Sequence, residues 1–313
     1  MVNPQHAVML YDAIPFASHG VDWGVVVMQP DNTTIFEHNG DAPFQAHELN
    51  QLVIAAGHMA LGSAPDTPFN LKVSDWHTGE RDRGVLQYAE PGIELTIGIA
   101  SRLMLSLGDY AAARALVRLA GGPEAIHEAV GTLPIADRLT VSRLSSQNGP
   151  PNEQTRYLYG KTTPRESALL FNYVLGDPQH AQALSDSVWS ALRREVDRRH
   201  SIPHPLEELA YQGKNGYTVT AEDIAAALAT APVRGASDHA NKYTFVSRGQ
   251  NHDMHDMYDV ARIGGGPHFT AGLTVAALGN QVERSPASDR GWWMGDTQAA
   301  IGMVVRRIVL TSA

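Results

Sequence analysis

The chain has 313 residues, a formal charge of −9 at neutral pH, 43% hydrophobic and 18% charged residues, and a mean hydropathy of −0.22. That length supports one large domain or two interlocked lobes around a substantial core. The acidic balance excludes the clustered positive charge that nucleic acid or anionic lipid requires, and no apolar run approaches the roughly 18 to 20 residues that span a bilayer.

The absence of cysteine removes disulfides, thiolate nucleophiles and Cys-ligated zinc, and it is compatible with a reducing compartment. The amino terminus, MVNPQHAVMLYDAIPF, lacks a basic segment followed by an apolar core and a small-residue cleavage site. A cytoplasmic protein is therefore expected. Its expected partner is a small-molecule substrate rather than nucleic acid or membrane, and a homo-oligomer is left open.

In chain order, WGVVVMQP (Trp23 to Pro30) and TTIFEHN (Thr33 to Asn39) are β-rich segments divided by the turn triplet Pro30-Asp31-Asn32, a hairpin pattern. Leu49 to Leu61 is helical in period and apolar nearly all round, as in a helix buried on every side. Glu94 to Gly122 predicts two helices broken at Ser106 to Asp109 and ended by Gly121-Gly122. Pro123 and Thr163-Pro164 each open another helix, with the loop SSQNGPPNEQTRYLYGK between them. SDSVWSALRREVDRR reads as one more helix.

Strand character returns in ELAYQGKNGYTV, KYTFVSRG, MYDVARIGG and FTAGLTVAALG, and TQAAIGMVVRRIVL closes the chain as a helix, with GWWMGD ahead of it. Strands at both chain ends around a helical block predict an α+β fold. Residues 1–48 and 205–313 would form the sheet lobe, 49–204 an inserted all-helical lobe, with an active cleft between them.

Four segments, in order, resemble the class A serine β-lactamases and their penicillin-binding relatives. EHNGDAPFQAHELNQL resembles the approach to the nucleophile helix. GVLQYAEPGIELTIGIASRLMLSLGDYAAARALVRLAGG resembles the stretch through the Ser-Asp-Asn motif. TTPRESALL resembles the helix after the omega loop, and YQGKNG the strand that carries Lys-Thr-Gly. The resemblance implies a serine β-lactamase-like fold with an antiparallel sheet flanked by helices. It also implies departures at each motif: Glu48-Leu49-Asn50-Gln51 for Ser-x-x-Lys, Gly108-Asp109-Tyr110 for Ser-Asp-Asn, and Lys214-Asn215-Gly216 for Lys-Thr-Gly. For the omega-loop glutamate, Gln147 and Glu153 are both candidates.

An acyl-enzyme needs a hydroxyl and a base to take its proton, so β-lactam hydrolysis by the family mechanism is not expected. Glu48 is the candidate acid/base, with Lys214 and Tyr110 as catalytic partners and Asn215, Gln51, Asp109 and His255 as substrate-binding candidates. Each has a plainer reading. Glu48 can cap its helix, Lys214 can form a structural salt bridge with it, Tyr110 can shape the wall, and Asp109 can hold backbone. Ser106 is an alternative nucleophile with no evident activating base.

His252 and His255 in NHDMHDMYD suit a metal, but a site needs three or four convergent ligands and a spacing of three on a strand turns them apart. No metal and no cofactor are expected. His47 faces either the cleft or its rear. His200 and His204 resemble surface loop residues, Trp292 and Trp293 core or interface residues, and Gly264 to Gly266 a turn. A rewired relative of this kind suits acid/base tailoring of a specialised metabolite; the alternative is a pseudoenzyme that binds a ligand or a protein.

Overall fold

A computed structural model describes residues 4–14, 21–76, 84–144, 160–185, 205–230, 245–248, 256–263, 272–281 and 290–311. Helix α1 (Pro4–Ala13) precedes the hairpin of β1 (Val21–Met28) and β2 (Thr34–His38). A short β3 (Phe44–Gln45) leads through a 3-10 turn, His47–Leu49, into α2 (Asn50–Ala60). After β4 (Pro68–Asn70) and β5 (Glu94–Thr96) come α3 (Ile97–Leu107), α4 (Tyr110–Leu119) and α5 (Pro123–Val130). Then follow β6 (Lys161–Thr162), α6 (Pro164–Leu175), α7 (Pro178–Ser185), α8 (Pro205–Lys214) and α9 (Ala221–Thr230). The chain ends on β7 (Phe245–Arg248), β8 (Asp256–Ile263), β9 (Leu273–Gln281) and α10 (Arg290–Thr311).

The main sheet has five strands in the order β2-β1-β9-β8-β7, every pairing antiparallel. Its centre joins the two ends of the chain, with β1 running against β9 from Val21 opposite Gln281 to Met28 opposite Thr274. Both faces are buried, which is why VVVM is a continuous apolar run rather than an alternating one. Val25 and Val27 pack with Leu10 of α1 and with Ile301 and Val305 of α10. Val26 and Met28 face the helices, where they join the core of α2 and α6. The fold is α+β: a sheet between a terminal helix pair and a larger helical layer.

Gly24 lets that layer approach the sheet. A Cβ there would lie 2.5 Å from Phe44 Cε2 and 2.6 Å from Pro164 Cγ, so β1 meets β3 and the start of α6 only without a side chain.

Two stretches differ from the sequence reading. ELAYQGKNG is the end of a helix, α8, and not a strand. Pro205 opens the helix before that stretch begins, and Leu206 and Leu209, three apart, turn into the helical core. Gly213 packs against the Tyr88 ring, too near for any side chain, and Gly216 at φ 88° follows the end of α8. The following Thr220 and Asp223 cap α9 reciprocally: Thr220 N–H donates to Asp223 Oδ2 and Asp223 N–H to Thr220 Oγ1. Residues 205–230, expected within the sheet lobe, are thus helical, and Ile224 and Leu228 share the core of α2 to α6. The terminal helix also starts earlier than expected, at Arg290, and takes in Gly291 to Asp296.

Helices α1, α7 and α9 had no counterpart in the sequence reading. The 185–199 helix beyond Ser185, the loop at 145–159 with Gln147 and Glu153, and His200, His204, His252, His255 and Gly264 to Gly266 lie outside the described residues. Among the described residues, no helix is long and apolar enough to cross a membrane.

Inside the helical layer, His58 of α2 is buried, with Nε2 2.9 Å from the Leu116 carbonyl of α4 and Nδ1 2.9 Å from Ser63 Oγ. The carbonyl requires an Nε2–H donor, so in the neutral ring Nδ1 accepts from Ser63. Burial pushes its pKa below the ordinary 6.5, the Leu116 carbonyl opposes this, and the charge of His180 adds to it. Burial also lowers His127, whose Nε2 accepts from Leu144 N–H at 2.9 Å.

The unfolded chain binds these protons more readily than the folded one, so stability rises with pH. The contribution is complete above the unfolded value of 6.5 and is lost as pH falls below it. Urea unfolding should therefore show a lower midpoint at acidic than at alkaline pH. His58→Gln, which keeps a donor for Leu116 but cannot titrate, should flatten that dependence.

Candidate active site

The seam between the sheet and α2 collects the polar side chains that the core does not need. β3 is anchored to β6, with Phe44 opposite Thr162, and Ala46 N–H donates to the Gly160 carbonyl at 2.8 Å. The chain then turns sharply at His47, whose φ of 43° is left-handed, and enters the 3-10 turn that carries Glu48. Glu48 is only 6% exposed. Neither Ala46 nor Leu49, the residues that begin the turn and α2, makes a side-chain capping bond.

The Glu48 carboxylate instead meets α4. Tyr110 Oη donates to Glu48 Oε1 at 2.8 Å, across 62 residues of sequence. Asp109 and Gly108 aim that phenol. Gly108, left-handed at φ 70°, ends α3 and turns the chain. Asp109 then caps α4, accepting from Ala112 N–H at 3.0 Å through Oδ1 and from Leu86 N–H at 2.9 Å through Oδ2. Fully buried and bonded to backbone at both oxygens, Asp109 performs the backbone-holding role.

Gln51 lies one turn beyond Glu48, on the same face of the helix. It is fully buried, and neither Oε1 nor Nε2 has a hydrogen-bond partner. On the sheet side, the ring of Tyr258 from β8 stacks on His47, with centroids 5.1 Å apart and planes 11° apart. Tyr258 is 1% exposed, and its hydroxyl also lacks a partner.

Glu48, Tyr110 and Gln51 are therefore brought to one seam. Lys214 and Asn215 are not: both are exposed at the end of α8, and Asn215 Nδ2 donates to the Tyr211 carbonyl at 3.2 Å. An exposed Lys214 forms no salt bridge with the buried Glu48, and the expected strand setting for both residues is replaced by a helix end. His255 lies outside the described residues. Ser106 is no nucleophile in this arrangement, being fully buried with its Oγ donating to the Ala183 carbonyl at 2.9 Å. Among the described residues, no group of three His, Asp or Glu side chains comes together to hold a metal ion.

The sequence reading left His47 undecided and did not single out Tyr258, Asn50 or Glu166. No local pattern marks Tyr258 as a neighbour of residue 47, because the two are far apart in sequence and meet only through the stack of their rings. Glu166 offers a contrast with Glu48. It is 3% exposed and accepts from the backbone N–H groups of Thr140, Val141 and Ser142, at 2.6, 2.9 and 2.5 Å. Those donors tie a loop to the start of α6, a structural use of a buried carboxylate.

Comparison with known proteins fits this geometry. The model of the beta-lactamase enzyme family matches residues 10–230, most of the chain, and the chain belongs to that family. A β-lactamase structure from Xanthomonas campestris pv. campestris is 16% identical with a TM-score of 0.64, over 99% of this chain and 100% of that one. One from Burkholderia vietnamiensis is 17% identical with a TM-score of 0.62, over 96% of each chain. One from Sphaerobacter thermophilus is 21% identical with a TM-score of 0.54, over 98% of this chain and 96% of that one. At such identities the likeness establishes the fold. No curated protein matches the chain.

Two substitutions test the seam. Tyr110→Phe removes a donor to a buried carboxylate and should destabilise the fold by about 1–3 kcal/mol in urea unfolding. Gln51→Met, similar in volume and free of two unpartnered polar atoms, should be neutral or stabilising by the same measurement. A large loss would mean that the amide has a partner after all.

Proposed function

We propose that the chain is a β-lactamase-fold enzyme that has exchanged acyl transfer for acid/base chemistry on a small molecule. The observation that carries this reading is the buried carboxylate of Glu48 held at 2.8 Å by the Tyr110 phenol. By the resemblance, Glu48 and Gln51 stand where the family has its nucleophilic serine and the lysine that activates it. A carboxylate supplies no hydroxyl to acylate, and a neutral amide takes no proton. What Glu48 and Tyr110 do supply is a base that can accept a proton and, beside it, a phenol that can donate one.

In the proposed chemistry, the Glu48 carboxylate takes a proton from a carbon next to a carbonyl, or from water, and returns it to the product or leaving group. Tyr110 keeps the carboxylate in one orientation until the proton is taken, and its single O–H is then released to turn to developing negative charge. The unpartnered donor and acceptor of Gln51 are the groups available to orient a polar part of the substrate. Cyclisation, elimination, isomerisation and hydrolysis without an acyl-enzyme all lie within this repertoire, and tailoring of a specialised metabolite in a reducing cytoplasm is the setting that suits it.

One observation favours a second reading, a binding protein without turnover. Lys214 and Asn215, expected to complete the constellation, are exposed on α8 instead. The two readings separate by experiment. Intact-mass analysis after treatment with a fluorescent penicillin should show no adduct on the native chain; an acylated chain would overturn both. In a metabolite extract, the native chain should convert a component that Glu48→Gln converts at least about a hundredfold more slowly. Equal rates would reject the role of Glu48, whereas a component retained but unconverted by either chain would establish the binder.

A further inference from the structure

The residue before Glu48 carries an unusual conformation. Of the three described non-glycine residues with positive φ, Asn32 and Asn39 are asparagines in turns, a type whose short amide tolerates the left-handed region. The third, His47 at φ 43°, carries a bulkier ring in a region that non-glycine residues seldom adopt. Its flanks are fixed. Ala46 N–H is bonded to Gly160 O at 2.8 Å, and Leu49 N–H to Ala46 O at 2.8 Å. With both sides pinned, the dihedral at residue 47 sets the direction in which Glu48 leaves the turn.

What meets the His47 ring is Tyr258, stacked at 5.1 Å and nearly parallel. Tyr258 belongs to β8, which pairs with β7 on one side and β9 on the other, so its ring is held by the sheet. Its hydroxyl makes no hydrogen bond, so the ring face alone carries the contact. We propose that Tyr258 is a positioning residue, whose ring locks His47 in the left-handed conformation that aims the Glu48 carboxylate at Tyr110. The proposal rests on the reading of Glu48 and Tyr110 as the working pair, and it extends that site to a strand more than two hundred residues away in sequence.

The test reads the Tyr110–Glu48 hydrogen bond directly, through the slowly exchanging Tyr110 hydroxyl proton in NMR, assigned by its loss in Tyr110→Phe. His47→Ala keeps the Cβ but removes the stacked ring, and should speed that exchange at least about tenfold as the bond opens. His47→Gly needs no ring to adopt a left-handed φ and should retain the native rate. Tyr258→Phe should behave as native, while Tyr258→Leu should match His47→Ala and be rescued by adding His47→Gly. Should Tyr258→Leu fail to fold, the two His47 variants, which leave the sheet intact, still decide. Equal exchange in His47→Ala and His47→Gly would overturn the positioning role and leave the Glu48–Tyr110 pair standing. A native chain without the signal would remove the pair itself.

Discussion

A carboxylate taken out of water has to be met by a donor, and the seam around Glu48 is organised by that requirement. The donor comes from α4, so the position of α4 relative to α2 is bound up with the state of one oxygen atom. Behind the phenol stand the left-handed Gly108, which turns the chain, and Asp109, which caps the new helix and fastens it to Leu86. On the other side, a left-handed residue costs of the order of 1–2 kcal/mol, and an aromatic pair returns about 0.5–1.5 kcal/mol. The stack of His47 on Tyr258 therefore offsets part of what the turn into Glu48 costs.

Among the described residues, Glu48 and Glu166 are the buried glutamates, and Glu166 shows what a purely structural carboxylate looks like in this fold. Glu166 accepts from consecutive backbone N–H groups and the Thr140 hydroxyl, an arrangement that fills its lone pairs with donors that cannot leave without unfolding the loop. Glu48 meets a side chain, which can move, and has beside it a Gln51 amide with both polar atoms unpartnered. An uncommitted buried amide lowers stability, and uncompensated local costs of that kind concentrate where a protein works rather than where it only holds together.

Much of this architecture was legible in the sequence because it rests on local rules. The hairpin around Pro30-Asp31-Asn32, the break at Gly108, Pro123 and Thr163-Pro164 as helix starts, and the strands β8 and β9 all follow from turn chemistry and period. The nearness of Glu48 and Tyr110 followed from the family resemblance rather than from any local pattern. The placement of Lys214 failed for a physical reason: a short stretch was read as a strand apart from Pro205 and Leu206, which begin its helix nine and eight residues before Lys214. Tyr258 was invisible because a stack between rings so far apart in the chain leaves no mark on the sequence near either partner.

The division between scaffold and site also explains how the fold outlasts such wide divergence. The sheet is held by the register of β1 against β9 and by apolar side chains on both faces, and the helical layer by its own core. Glu48, Gln51 and His47 add no apolar side chain to either core, although Glu48 and Gln51 are buried and His47 stacks on Tyr258 of the helical core. Substitution at those positions perturbs a seam a few side chains wide and leaves the two cores to set the stability of the whole. A scaffold built in that way can keep its shape at 16–21% identity to its structural neighbours. A buried carboxylate at such a seam needs its donor close by, as Glu48 has in Tyr110.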